Sequence, residues 1–345
     1  MLRVLLTAVV SIALYETLRH VFMKRTRAAL QKRARGFAEQ HGVRVDLFKF
    51  GGKLLVREEL LNDKYVLKAM DDAVQRGERA TAVREHVEEY IDEIVPAFSL
   101  TAYFQFGMKL ANAAIRAVYT PLVVQKPKAL PENATAVFLI NHRSNFDYVV
   151  VGWALARQVA ISYAVGEWAR VFPLDWLFKA FGGFFVRRGF PDPLYHSVLR
   201  RYLQLITRRG VTQGIFPEGG LTRDGALRSP KVGLLDALLQ LSSEPGFDRE
   251  LYFVPVGINY DRVLEDNALL KEARGKAARP PTAGEKLRGA LKLIGIVPWR
   301  VLVNLLRVAT GRLHRAGYVA VAFGEPVKLR DLPQAQRLAA ASDEE

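Results

Sequence analysis

A five-residue apolar run, Ala136-Val137-Phe138-Leu139-Ile140, passes without a break into Asn141-His142-Arg143-Ser144-Asn145-Phe146-Asp147-Tyr148. Pro131 bounds the run upstream and polar residues bound it downstream, the pattern of a short buried strand. His142 and Asp147 are five positions apart. On one regular helix they would point about 140° apart, so they meet only if the chain bends between them. Ser144 or Asn145 can cap a new helix, with Asp147 in its first turn and His142 still in the loop. An imidazole and a carboxylate then stand together at the carboxyl end of a strand, where open α/β sheets place their sites. A carboxylate on one ring nitrogen fixes the tautomer and leaves the other nitrogen as a base. No serine accompanies the pair, so the nucleophile is expected to be a substrate hydroxyl.

Other elements follow from pattern. Ala160–Val165 reads as a second strand. Gly182-Gly183-Phe184-Phe185-Val186-Arg187-Arg188-Gly189 reads as a strand ending in two arginines, whose planar donor forks suit phosphate. Val211–Phe216 runs into Pro217-Glu218-Gly219-Gly220-Leu221-Thr222-Arg223-Asp224-Gly225. Its glycines allow the backbone to approach a ligand closely. Lys231 precedes an apolar helix. Tyr252–Tyr260 is a fourth strand, which Pro255 marks as an edge, a bulge or a close approach to the site. Val43–Val56 suggests a hairpin, and Asp63–Tyr119 is mostly helical, punctuated by Pro96 and Pro121.

The chain ends carry a different signal. Leu2–Leu14 is apolar but too short for a spanning helix. The basic residues after it make it a membrane-associating helix, with a buried core helix as the alternative. Leu287–Leu313 suits an interfacial helix pair kinked at Pro298, Lys271–Pro281 a flexible loop, and the stretch from Gln334 a disordered tail. The expected organisation is an N-terminal membrane helix over 1–40, a helical region over 41–125, an α/β domain over 126–333 and a tail over 334–345.

Half of the 345 residues are hydrophobic, enough for a sizeable core, and cysteine is absent, which excludes disulfides and thiolate metal sites. The histidines show no metal-ligand spacing, so no metal is expected. The formal charge of +15 points to anionic partners. Without a zinc-finger, RNP or helix-turn-helix signature, nucleic acid is not expected among them.

The four stretches HRSNFD, GGFFVRRG, FPEGGLTRDG and VPVGINY, in that order, resemble the four blocks of the glycerolipid acyltransferases, in detail the glycerol-3-phosphate and dihydroxyacetone-phosphate 1-acyltransferase branch. The resemblance covers roughly Tyr90 to Val327. It implies a mixed α/β sheet flanked by helices, with a helical N-terminal region. It makes His142 the general base and Asp147 its partner. Arg187 and Arg188 would help hold the acceptor's phosphate, Glu218, Gly219 and Gly220 would shape the acceptor site, and Pro255 would lie on the acyl-donor side. The implied reaction moves an acyl chain from acyl-CoA or acyl carrier protein to the sn-1 hydroxyl of glycerol 3-phosphate. It uses no cofactor beyond the acyl donor and takes place at anionic lipid on the cytoplasmic face of the cell membrane. One departure stands out. After Gly-Gly the family usually carries arginine, and here the residue is Leu221. Either Arg223 or Lys231 then covers the phosphate, or the acceptor differs. Dihydroxyacetone-phosphate or lysophospholipid acyl transfer, and a non-catalytic lipid- or nucleic-acid-binding protein, are the alternative readings.

Overall fold

The computed structural model describes residues 52–99, 101–155, 158–166, 169–170, 174–244, 246–265 and 316–333, with isolated positions before residue 52. The expected N-terminal helix, most of the hairpin, Lys271–Pro281, the pair within Leu287–Leu313 and the tail lie outside these residues.

Three helices come first: α1 (Gly52–Leu61), α2 (Lys64–Gln75) and α3 (Ala80–Ile94). Residues 52–56, expected in a hairpin, instead open α1. Val56 and Leu60, four apart, bury one stripe of that helix in the core, which a period-two strand could not do. Asp63 starts α2 by accepting hydrogen bonds from the N–H groups of Tyr65 and Val66. A π-helical turn (Thr101–Gly107) leads into α4 (Met108–Val118) and the edge strand β1 (Thr120–Gln125). Pro121 is tolerated there because an edge strand leaves half of its N–H groups unused.

The rest alternates: β2 (Ala134–Ile140), α5 (Asp147–Leu155), β3 (Ser162–Gly166), α6 (Leu174–Ala180), β4 (Phe184–Val186), α7 (Pro193–Arg208), β5 (Gln213–Ile215), α8 (Gly233–Ser242), β6 (Glu250–Tyr260), β7 (Tyr318–Phe323) and β8 (Val327–Lys328). Asp192 caps α7 through the Leu194 N–H, and Pro193 occupies its first position. Among the described residues the sheet order is β1-β7-β6-β2-β5-β3-β4, with β8 also on β6. From β6 to β4 neighbouring strands are parallel, whereas β6 meets β7 and β8 antiparallel, so the sheet is mixed.

A parallel strand in the middle of such a sheet is covered on both faces, and this is why β2 reads as an unbroken apolar run. Val137 and Phe253 face one core, shared with Val56, Val87, Ile91 and Leu203 of α1, α3 and α7. Phe138 and Val254, one residue on, face the other, shared with Ile115 of α4 and Val150 and Val151 of α5. The expected helical region therefore packs into the same core as the sheet.

Pro255 does not mark an edge: β6 lies between β2 and β7, and Pro255 stands opposite Leu139. Its carbonyl accepts from the Gly324 N–H at 2.8 Å, so its ring nitrogen faces the gap between β7 and β8. The donor that proline lacks is not called for there.

Candidate active site

The pleat of β2 ends at Asn141, whose side chain imitates a strand residue. Its Nδ2 donates to Ile258 O at 2.9 Å and its Oδ1 accepts from Ile258 N–H at 2.7 Å. This pins the chain just before it turns. Ser144 Oγ accepts from the Phe146 N–H at 3.0 Å and α5 begins at Asp147, as the capping pattern predicts. The bend brings His142 Nδ1 to 3.0 Å from Asp147 Oδ2, with both side chains buried.

Asp147 is held from several directions. Oδ2 also accepts from the N–H groups of Arg143 (2.8 Å) and Ser144 (3.0 Å), and Oδ1 accepts from the Tyr260 hydroxyl at 2.6 Å. Burial, and next the charge of Asp147, push the Tyr260 phenol well above its ordinary pKa, so it remains a proton donor. Glu265 fastens the outside of the turn, accepting from Ser144 Oγ at 2.7 Å and Asn145 N–H at 3.0 Å. Neither Tyr260 nor Glu265 was expected from spacing, since each lies more than a hundred residues from its partner.

The loop after β5 closes on the same turn. Glu218 is buried and its Oε1 accepts from the His142 N–H at 3.0 Å, while Thr222 N–H donates to His142 O at 3.0 Å. Glu218 thus shapes the site by fixing the backbone of His142. Gly219 has φ +62°, which strains any side chain, and a Cβ there would lie 2.8 Å from Lys231 Cδ and push that side chain aside.

His142 and Tyr148 line a pocket of about 350 Å³, and Arg187, Arg188, Gly219 and Lys231 line the same pocket. With Nδ1 engaged by Asp147, Nε2 is the ring nitrogen left for a ligand. The imidazole packs on Phe216, ring centroids 4.4 Å apart, which fixes its plane. Tyr148 also walls a second, apolar cavity of about 130 Å³ between α4, α5 and α6, with Tyr103, Met108 and Phe178.

The expected basic residues separate. Arg187 grips Glu93 bidentately, at 2.8 and 2.5 Å, and stacks over Tyr90, Phe190 and Tyr195. Hydrogen bonding to Glu93 is the main cause of its raised pKa. Arg188 turns the other way, across Gly166 at the end of β3, where a Cβ would lie 2.5 Å from its Nη2. Arg223 is exposed and absent from the pocket wall, as is Pro255. Among the described residues no group of three or more metal-ligating side chains is present, and no helix is long and apolar enough to cross a membrane.

Residues 121–259 match the acyltransferase family model. The chain is 29% identical to a glycerol-3-phosphate acyltransferase of Aeromonas hydrophila subsp. hydrophila over 91% of its own length and 38% of the relative's. It is 30% identical to one of Haemophilus influenzae (strain PittEE), over 87% of this chain and 36% of that one. It is 31% identical to one of Actinobacillus succinogenes, over 68% of this chain and 30% of that one. The chain therefore spans about a third of the length of these curated relatives. A solved 1-acyl-sn-glycerophosphate acyltransferase from Thermotoga maritima aligns over 85% of this chain and 92% of its own, with 15% identity and a TM-score of 0.39.

Proposed function

From a chain that belongs to the acyltransferase family through residues 121–259, we propose an enzyme that moves a fatty acyl group from acyl-CoA or acyl carrier protein to the sn-1 hydroxyl of glycerol 3-phosphate, giving lysophosphatidate. The observation that carries this reading is the buried His142–Asp147 pair opening on a pocket that also presents Arg188 and Lys231. A base and cations in one small cavity suit an acceptor with a hydroxyl at one end and a phosphate at the other.

In this mechanism Nε2 of His142 takes the proton of the acceptor hydroxyl as its oxygen attacks the thioester carbonyl. The new C–O bond gives a tetrahedral oxyanion. Its collapse breaks the C–S bond, and the leaving thiolate recovers the proton from His142. Asp147 stabilises the imidazolium between these steps and holds the ring's orientation. Arg188 and Lys231 hold the phosphate. Arg187, committed to Glu93, is a positioning residue for the strand end that carries Arg188. The apolar cavity behind Tyr148 gives the acyl-bearing side of the reaction an apolar wall. No cofactor beyond the acyl donor enters the scheme.

A formal charge of +15 and the apolar, basic-flanked N-terminal sequence support association with anionic lipid on the cytoplasmic face of the cell membrane. The test of function is an acceptor panel with palmitoyl-CoA and purified protein, comparing glycerol 3-phosphate, dihydroxyacetone phosphate and lysophosphatidate. The expected result is highest kcat/KM with glycerol 3-phosphate. Preference for lysophosphatidate would move the chain to lysophospholipid acylation, and no transfer to any of the three would overturn an enzymatic role.

A further inference from the structure

The loop after β5 has a leucine, Leu221, directly after its two glycines, and this side chain offers nothing to an anion. A cation from further along the loop lies over the same stretch. Arg228 Nη1 donates to Leu221 O at 3.2 Å, and the Arg228 N–H donates to Glu218 Oε2 at 3.3 Å. A Cβ built on Gly220 would stand 3.6 Å from Arg228 Nη1 and 3.3 Å from Arg188 Nη1. Two guanidinium groups, one from the end of β4 and one from the loop after β5, therefore converge on one point beside a residue without a side chain. A Cβ built on the neighbouring Gly219 would meet Lys231 Cδ at 2.8 Å.

Like charges brought this close repel unless an anion stands between them. Among the described residues Arg188 forms no hydrogen bond or ion pair, and Arg228 forms no ion pair. The loop's carboxylates are otherwise engaged. Glu218 accepts from the backbone N–H groups of His142 and Arg228. Asp224 Oδ1 accepts from Thr222 Oγ1 and the Ala226 N–H. The point beside Gly220 is thus flanked by forked donors from two sides, with space kept open by the absent side chain. Such an arrangement matches the several oxygens of a phosphate monoester better than the flat face of a single carboxylate.

The geometry points to Arg228 as a phosphate-binding residue that closes a clamp with Arg188 over Gly220, Lys231 adding a third charge. The inference rests on the reading of a phosphorylated acceptor given above.

The experiment is steady-state kinetics on the full chain, wild type, R228A and R228K, varying glycerol 3-phosphate and palmitoyl-CoA in turn, with inorganic phosphate as competing anion. R228A is expected to raise the KM for glycerol 3-phosphate about tenfold or more, the loss typical of one charge-assisted contact. The acyl-donor KM and kcat should stay within about twofold, and competition by inorganic phosphate should weaken in parallel. R228K, which keeps charge and loses the fork, should fall between. Adding L221R to R228A, which returns a guanidinium beside Gly220, should bring the acceptor KM back toward wild type. An unchanged acceptor KM in R228A, or equal rises in both KM values, would overturn the role of Arg228. A wild-type protein that acylates glycerol as well as glycerol 3-phosphate would instead overturn the phosphorylated-acceptor reading, leaving the two failures distinguishable.

Discussion

The Tyr260 hydroxyl stands 2.6 Å from Asp147 Oδ1, on the carboxylate oxygen that His142 does not use. A phenol donating to one oxygen fixes the plane of the carboxylate, and with it the approach of the other oxygen to the His142 ring. Tyr260→Phe keeps the ring and removes that donor. The expected result is a fall in kcat of about tenfold with unchanged acceptor KM. A kcat left at the wild-type value in Tyr260→Phe would remove this role for Tyr260.

His142→Ala is expected to lower kcat by at least about 10³-fold, the range for losing a general base. Asp147→Asn should slow the reaction too and cost more stability than His142→Ala. Its amide keeps one acceptor oxygen, so its NH₂ must face either the N–H groups of Arg143 and Ser144 or the Tyr260 hydroxyl, and whichever it faces loses its present acceptor. Leaving such buried groups unsatisfied costs about 2–4 kcal/mol. Thermal melts of the two variants beside their turnover numbers check this ordering, and near wild-type turnover of His142→Ala would remove the proposed mechanism.

The two adjacent arginines should behave differently. Arg187→Ala leaves the mostly buried Glu93 carboxylate, among the described residues, with the partly exposed Arg170 as its remaining ion-pair partner. The expected loss is about 2–3 kcal/mol of stability, partly recovered in the double variant with Glu93→Gln. Arg188→Ala should leave the melting temperature nearly unchanged and raise the acceptor KM. Melting curves and kinetics on both variants distinguish them; a lowered melting temperature for Arg188→Ala alone would reverse the assignment.

This contrast also shows what a linear reading reaches. The turn between His142 and Asp147 is a local event, so its strand, bend and helix start were all legible. The parallel strands were legible because burial on both faces writes an apolar run. The fate of Arg187 was not, because its partner Glu93 is 94 residues away and nothing in a double arginine says which one turns inward. Tyr260 was visible as a strand residue, but its hold on Asp147 depends on the register of β6 against β2. Nothing in the sequence singles out Arg228. Which of its alternatives Pro255 marks was not legible, because its place in the sheet depends on a break between β7 and β8 that lies some seventy residues further along the chain.

Alkaline pH should unfold the protein cooperatively. Burial is the main cause of the raised pKa values of Tyr103, Tyr148, Tyr163, Tyr202 and Tyr260. In the unfolded chain each ionises near pH 10. The folded values are the higher ones, so this contribution to stability is fully present below about pH 10 and is lost as pH rises above it. Tyrosinate absorbance should therefore hold back a fraction of its amplitude and release it together with the loss of far-UV ellipticity. A gradual titration of all tyrosines ahead of unfolding would contradict the burial seen here.

Glu218 receives the N–H of His142 on one oxygen and the N–H of Arg228 on the other. One buried carboxylate then fixes, through two backbone N–H groups, the spacing between the turn that carries the proposed base and the loop that carries the proposed phosphate ligand. In the proposed reaction that spacing sets the reach of an acceptor held at both ends. A compound with an extra carbon between hydroxyl and phosphate would have to fold back on itself or let go at one end, and one with a carbon fewer would fall short. On the proposed reading the acceptor is thereby measured end to end, by a residue that touches neither end.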